Sequence, residues 1–111
     1  MNTTTFSALA EPNRLDIVEL LREEPHSVNE IVHALRLNQP QVSKHLKVLA
    51  DAGIVEVHPE ANRRVYELAP QKFREIDTWI ERYRKLWEER FDRLDALLRE
   101  EKKKLKKKGG E

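Results

Sequence analysis

The feature that most constrains the fold is a pair of helix starts set close together in the middle of the chain. Ser27 followed by Glu30 is a capping box, in which each side chain satisfies a backbone N–H at the start of a helix. Asn38 followed by Gln41 repeats the signal, with a proline within the first turn. Two short helices with so few residues between them form a helix-turn-helix, which we expect across residues 27–52.

Apolar side chains recur at helical spacing on both helices and define the faces that should turn inward. These inward residues are Val28, Ile31, Val32 and Leu35 on the first helix, and Val42, Leu46, Val48 and Leu49 on the second. We expect the first helix to end near Arg36 or Leu37. The second should end at Gly53, where a residue in the left-handed conformation usually terminates a helix.

Residues 6–25 read as a short helix, a break and a second helix that Pro25 ends. Pro12 fits the first turn of the second helix, where its missing N–H is no loss. This helix should be mostly buried, because it has a broad apolar face. That face consists of Leu15, Ile17, Val18, Leu20 and Leu21.

After Gly53 the apolar residues alternate, as in two strands around a hairpin loop. Val55 and Val57 precede the loop, and further alternating residues follow it. We predict a loop over Pro59–Arg63, with Asn62 as the residue able to accept a positive φ. A hairpin directly after a helix-turn-helix is a wing, and we assign the wing to residues 54–68.

Pro70 opens a long helix whose apolar residues are spaced by three and four positions. A continuous helix over residues 70–108 would measure roughly 58 Å, more than the preceding core can cover. We therefore predict a dimerisation helix there, with help from Phe6, and a tail at 109–111. The alternative is that some of its aromatic residues line an effector cavity. The predicted seam residues are Phe73, Ile76, Ile80, Tyr83, Trp87, Phe91 and Leu94.

Residues 31–50 contain no Asp or Glu, although the whole chain has 20 of them against 21 Lys and Arg. At the average density, a window of this length would hold about 3.6. The window covers the second helix of the helix-turn-helix, where a carboxylate would repel the negatively charged DNA duplex. The alternative is a solvated face that happens to be basic. We favour DNA binding, because the face precedes a wing.

The polar face of the second helix offers amide, hydroxyl and cationic donors, which base edges and phosphates require. We predict base-edge or nearby phosphate contacts from Gln41, Ser43, Lys44 and His45. Contacts that mainly position the DNA backbone are predicted from Gln39, Lys47, Arg63 and Arg64.

Three segments resemble the ArsR family of bacterial and archaeal winged helix-turn-helix repressors, over roughly residues 5–90. They are "FSALAEPNRLDIVELL", "SVNEIVHALRLNQPQVSKHLKVLADAGIV" and "NRRVYEL", and "QPQVSKHLKVLADAGIV" is the most specific part. The resemblance implies a DNA-binding domain over residues 1–90, mainly α with a small β-hairpin in the order α-α-α-α-β-β-α. The last helix, residues 70–108, would belong to the same folded unit.

The same resemblance implies a homodimer built from the first and last helices. Its two recognition helices would enter successive major grooves of a palindromic, double-stranded DNA operator. The dimer would then repress transcription by occluding the promoter, and its own gene could be one of its targets. An effector of unknown identity would relieve the repression.

The sequence departs from the family's metal sensors. Where those sensors carry paired cysteines, this chain has Val32 and Ala34. Other members bind zinc through ligands on the last helix that include a histidine, and this chain has no histidine from Pro70 onward. The four histidines are scattered without ligand spacing, and structural roles are expected for most of them. We therefore predict no metal site and no cofactor. The histidines are His26, His33, His45 and His58.

The remaining composition excludes other classes of protein. No cysteine is present for disulfides or thiolate sites, and no apolar run approaches the roughly 20 residues of a membrane span. No nucleophile elbow or phosphate loop appears, so we predict no catalytic residue. We expect a soluble, cytoplasmic regulator. The alternatives are a protein-interaction module that keeps the dimeric fold without operator binding, and a weakly specific DNA-coating protein.

Overall fold

The computed structural model describes residues 1–109, with their side chains through Lys106. This part of the chain contains helices α1 (Thr3–Leu9), α2 (Pro12–Glu23), α3 (Val28–Leu35), α4 (Gln39–Asp51) and α5 (Pro70–Gly109). Its strands are β1 (His26–Ser27), β2 (Val55–Glu60) and β3 (Arg63–Leu68). They form one antiparallel sheet in the order β1-β3-β2. Of the predicted tail, residues 109–111, only Gly109 is among the described residues, and it belongs to α5. Residues 110 and 111 lie outside them.

Both capping boxes form, which confirms the two predicted helix starts. The hydroxyl of Ser27 accepts the N–H of Glu30 at 3.3 Å, and the Ser27 N–H donates to Glu30 Oε1 at 3.0 Å. At α4, Asn38 Oδ1 accepts the N–H of Gln41 at 2.9 Å, and the Asn38 N–H donates to Gln41 Oε1 at 3.1 Å. The predicted mainly α fold with a helix-turn-helix and a wing is confirmed.

The two short helices end on residues in the left-handed conformation. Arg36, the C-cap of α3, has φ 56° and ψ 39°. Gly53, just after α4, has φ 74°, as the sequence predicted. A Cβ added at Gly53 would lie 3.3 Å from Cε of the flexible Lys72 side chain, which can shift, so it is the positive φ that favours glycine there.

The wing hairpin is tighter than predicted. Glu60 pairs with Arg63, so the loop is reduced to Ala61 and Asn62 and does not extend from residue 59 to 63. The positive φ, 55°, is at Ala61, and the prediction for Asn62 is wrong. A positive φ at the first of two loop residues is typical of a turn whose twist matches the flanking strands.

Strand β1 is a further difference from the predicted order. His26 pairs with Tyr66 and Ser27 with Val65, immediately before α3. Two residues are too few to show an alternating pattern, so the sequence gives no signal for this strand. It anchors the start of the helix-turn-helix to the wing.

The hydrophobic core confirms most of the predicted inward faces. Ile17, Ile31, Val42 and Leu49 are fully buried, and Leu46 is 1% exposed. Two predictions are wrong, because Val48 is 36% and Leu15 is 46% exposed. Each is two residues from a buried neighbour, Leu46 or Ile17, and the roughly 100° step of a helix turns such pairs to opposite sides.

The chain divides into two compact units, residues 1–76 and the part that begins at Asp77. In the first unit, Phe73 packs against the core cluster. In the second, the described part of α5 exposes a row of large apolar side chains. Among the described residues, no helix combines the length and apolar character needed to span a bilayer.

Candidate nucleic-acid interface

Helix α4 separates an apolar face from a polar one. Its inward residues are almost completely buried, whereas Gln39, Gln41, Ser43, Lys44 and Lys47 are exposed. The Asn38 cap fixes where the helix begins, so these side chains occupy defined positions on its outer side. The exposed face can therefore offer amide, hydroxyl and ammonium donors to a groove of DNA.

The exposed cations of α4 and of the wing differ in whether a carboxylate holds them. Lys47 lies 3.3 Å from Asp51, with both side chains largely exposed. Exposed pairs of this kind contribute only about 0–1 kcal/mol, so a phosphate can replace the carboxylate. Within residues 1–109, Lys44 and Arg64 have no ion-pair partner. Their charges are available to an external anion.

His45 does not stand with the exposed donors, which corrects the sequence prediction. Its side chain is 15% exposed, and its Nδ1 lies 3.7 Å from Oε2 of Glu11. The same Glu11 oxygen caps α2 by accepting the N–H of Arg14 at 2.9 Å. His45 follows buried Val42 by three residues, which turns it toward the edge of the core. It links α4 to the N-cap of α2.

The two arginines of the wing also differ. Arg63 Nη1 lies 2.9 Å from Oε1 of Glu30, in the first turn of α3. Arg64 pairs with Pro59 in the sheet register, and alternation along β3 sends its side chain to the opposite face from Arg63. Both arginines are exposed, but among the described residues only Arg63 is paired with a carboxylate, so Arg64 is the freer of the two to contact DNA.

Glu30 carries a firmly fixed negative charge. The backbone N–H of Ser27, followed by its hydroxyl, lowers the pKa of the Glu30 carboxyl from its usual 4.5 to about 2. His26 and Arg63 contribute in the same direction to a smaller extent. Because Glu30 is ionised at neutral pH, it holds Arg63 beside α3 as a charged pair.

The start of α4 and the wing border a common cleft of about 400 Å³. Gln39 lies on one side, Arg63 and Arg64 line another, and the first turn of α3 completes it. Three residues predicted to contact the DNA backbone, Gln39 of α4 and Arg63 and Arg64 of the wing, therefore line the same cleft. Helix N-termini and arginines both favour anionic groups such as phosphates.

The predicted dimerisation residues fall into two groups. Phe73 and Ile76 are half-buried, and Phe73 contributes to the core of its own chain. Phe6 is 42% exposed on α1. The others lie in the second unit, where their exposed fractions range from 40% to 61%, and they are Ile80, Tyr83, Trp87, Phe91 and Leu94. Trp87 and Phe91 are in ring contact, with centroids 6.0 Å apart.

Sequence reasoning missed the supporting carboxylates of this surface. Glu30 was recognised only as a helix cap, and Glu11 was not singled out. Arg63 is 33 positions from Glu30, and no local spacing signals such a contact. His45 and Glu11 are joined only after α2 and α4 pack together.

Comparison with known sequences places this surface in a wider context. Residues 11–57 match the family described as "Bacterial regulatory protein, arsR family". The HTH-type transcriptional regulator Rv2034 of Mycobacterium tuberculosis is 40% identical over 78 residues, which are 70% of this chain and 73% of that protein. The HTH-type transcriptional repressor SmtB of the same species is 47% identical over 62 residues, 56% of this chain and 46% of that protein.

Solved structures show the same architecture. A crystal structure of an ArsR family transcriptional regulator has a TM-score of 0.66 at 27% identity, covering 78% of this chain and 94% of that one. The homodimeric winged helix-turn-helix DNA-binding domain of Mb0332 from Mycobacterium bovis has a TM-score of 0.63 at 26% identity. That comparison covers 75% of this chain and 77% of the other. The second of these structures is a winged helix-turn-helix domain, the same kind of architecture as the one that carries the candidate interface.

Proposed function

The chain belongs to the ArsR family of transcriptional regulators with a winged helix-turn-helix DNA-binding domain, and from that premise we propose that it is a homodimeric repressor of a palindromic operator. One observation carries the proposal: from Gln39 to Lys47, α4 exposes a row of hydrogen-bond donors that contains no carboxylate, beside the wing residue Arg64, which has no ion-pair partner among the described residues. Groove recognition requires such donors, and phosphate binding requires such cations.

Within this proposal, α4 is the recognition helix. Gln41, Ser43 and Lys44 contact base edges or nearby phosphates, since Gln can read adenine and Lys can read guanine or bind phosphate. Gln39 and Lys47 position the DNA backbone. Their exposure on α4 supports these roles.

The wing supplies a second set of backbone contacts. Arg64 binds a phosphate or enters a minor groove, because no carboxylate within residues 1–109 holds its guanidinium. Arg63 contributes less, since Glu30 already binds it. His45 supports α4 from inside the domain and does not contact DNA.

The partner on α5 is a second copy of the chain. Ile80, Tyr83, Trp87, Phe91 and Leu94 form an apolar row at near-heptad spacing, and each is at least 40% exposed. Exposed apolar rows of this size usually mark an interface. The related domain of Mb0332 is homodimeric, which supports the same assembly here.

A two-fold dimer presents two α4 helices, so the matching operator has two related half-sites about one or more helical turns apart. Occupation of such an operator within a promoter would exclude RNA polymerase. Repression of the protein's own gene is the simplest arrangement of this kind. The protein would act in the cytoplasm, where the promoter lies.

The test is a gel shift and footprint on the DNA upstream of the protein's own gene, with a random duplex of equal length as control. We expect a footprint over an inverted repeat and a specific affinity at least about a thousandfold above random. A ratio near unity would identify a DNA-coating protein. Absence of binding to either duplex would favour a protein-interaction module.

A further inference from the structure

Three potential metal ligands meet on the wing. Nε2 of His58 lies 2.7 Å from Oε1 of Glu67 and 3.5 Å from Oε2 of Glu56. One ligand atom from each residue lies within 4.8 Å of the other two. The strands produce this arrangement, because His58 and Glu56 are two residues apart on β2, and Glu56 pairs directly with Glu67 on β3.

From this geometry we propose that the wing binds one Zn²⁺ ion through His58, Glu56 and Glu67. Imidazole nitrogen and carboxylate oxygen bind zinc at about 2.0–2.2 Å, which places neighbouring ligands of a tetrahedral site about 3.3 Å apart. The observed separations of 2.7 and 3.5 Å lie on either side of that value. Small rotations of the side chains would suffice to close the site.

The exposure of the cluster defines the kind of site. The three side chains are 39–53% exposed, which leaves space for water as the fourth ligand. An imidazole ligand favours zinc and similar transition metals over Mg²⁺ and Ca²⁺, which take oxygen ligands. The site is therefore an open three-ligand site for a transition-metal ion.

The charges of the wing supply an independent reason for a cation. Glu56 and Glu67 are directly opposite each other, and like charges in that relation destabilise an antiparallel pair. His58 can offset at most one of the two charges, whereas a divalent ion offsets both. Arg63 shares this face of β3 by alternation but is bound to Glu30. The site depends only on a folded wing and not on DNA binding.

Isothermal titration of the full chain, stripped of metal, with ZnCl₂ tests the site. We expect one ion per chain, and at least tenfold weaker binding in His58→Gln and in Glu67→Gln. The control is His33→Gln, which removes an exposed histidine of α3 and should leave the affinity unchanged. No stoichiometric binding to the natural chain, or unchanged affinity in both wing variants, overturns the site.

A second measurement uses the unmodified chain, so it does not depend on how the variants fold. In nitrogen-15 spectra of the histidine side chains, Zn²⁺ should shift the ring signals of His58 and leave those of His33 in place. Shifts confined to other histidines would place the ion elsewhere and overturn the proposal.

Discussion

Arg63 of the wing donates from Nη1 to Oε1 of Glu30 in the first turn of α3, at 2.9 Å and across 33 positions of sequence. The same carboxylate oxygen accepts the backbone N–H of Ser27. One side chain therefore caps α3 and holds the wing beside it. Loss of its charge should weaken both interactions.

Glu30→Gln should change how stability depends on pH. The pKa of Glu30 falls from 4.5 to about 2 in the folded chain, so its ionised form stabilises the fold fully above pH 4.5. That contribution is lost as pH falls toward 2. We expect the urea midpoint of the natural chain to exceed that of Glu30→Gln at pH 7. The difference should shrink between pH 4.5 and 2, and a constant difference would contradict the linkage.

Ala61→Gly should stabilise the wing hairpin. Ala61 has φ 55°, a conformation that costs an L-residue about 1–2 kcal/mol, while glycine costs extra chain entropy of about 0.5–1 kcal/mol. The net expectation is a gain of about 0.5–1 kcal/mol in the free energy of unfolding. The control is Ala50→Gly within α4, which should lose about 1 kcal/mol. Urea titration measures the free energy of unfolding of both variants. A lower value than that of the natural chain in Ala61→Gly as well as in Ala50→Gly would contradict the turn assignment.

His45→Ala should affect stability without changing how DNA binding depends on salt. The side chain is 15% exposed and lies against Glu11, so its removal should cost about 1–2 kcal/mol of unfolding free energy. It contacts no phosphate in our proposal, so the slope of log affinity against log salt should stay the same. An unchanged melting temperature with a shallower slope would instead place His45 at the DNA.

The elements predictable from sequence are those with local signals. The caps at Ser27 and Asn38 involve residues three positions apart, so the helix starts could be read directly. The left-handed conformation of Gly53 was also predictable, because a glycine directly after a run of helical apolar residues is itself a local signal. Val48 was misplaced because it was added to the inward face as an apolar residue, although a position two residues from Leu46 is turned outward by helical geometry.

The contacts that could not be predicted depend on packing between distant segments. His45 meets Glu11 only when α4 lies against α2, and Arg63 meets Glu30 only after β1 joins β3. The hairpin turn set the register that brings Glu67 beside His58. Comparing the histidines only with one another therefore missed the cluster on the wing.

Trp87→Asp combined with Phe91→Asp should convert a dimer into a monomer. Both side chains lie in the exposed apolar row of α5, and a buried unpaired carboxylate at an interface is strongly unfavourable. Sedimentation analysis at micromolar concentration should show a dimer for the natural chain and a monomer for the variant. The control is Lys85→Asp, two positions from Trp87 and on the other side of the helix. A monomeric natural chain would contradict the assembly.

Lys44→Ala combined with Arg64→Ala should weaken DNA binding and flatten its salt dependence. Both cations lack an ion-pair partner within residues 1–109, so each is free to replace counterions on a phosphate. The slope of log affinity against log salt should become shallower by about 0.9 for each phosphate that the variant no longer neutralises. The change would be doubled in a symmetric dimer, since both substitutions then affect each of the two half-sites.

The matched control for this variant is Arg22→Ala combined with Lys85→Ala, which removes equal charge from α2 and α5. Arg22 is 70% exposed and pairs with Glu19, remote in sequence from α4 and the wing. A general effect of net charge would flatten the slope in both double variants, because long-range attraction depends on total charge. A specific contact flattens it only when Lys44 and Arg64 are changed. If the variant with Lys44→Ala and Arg64→Ala retains the slope of the natural chain, these two residues do not bind phosphates of the operator.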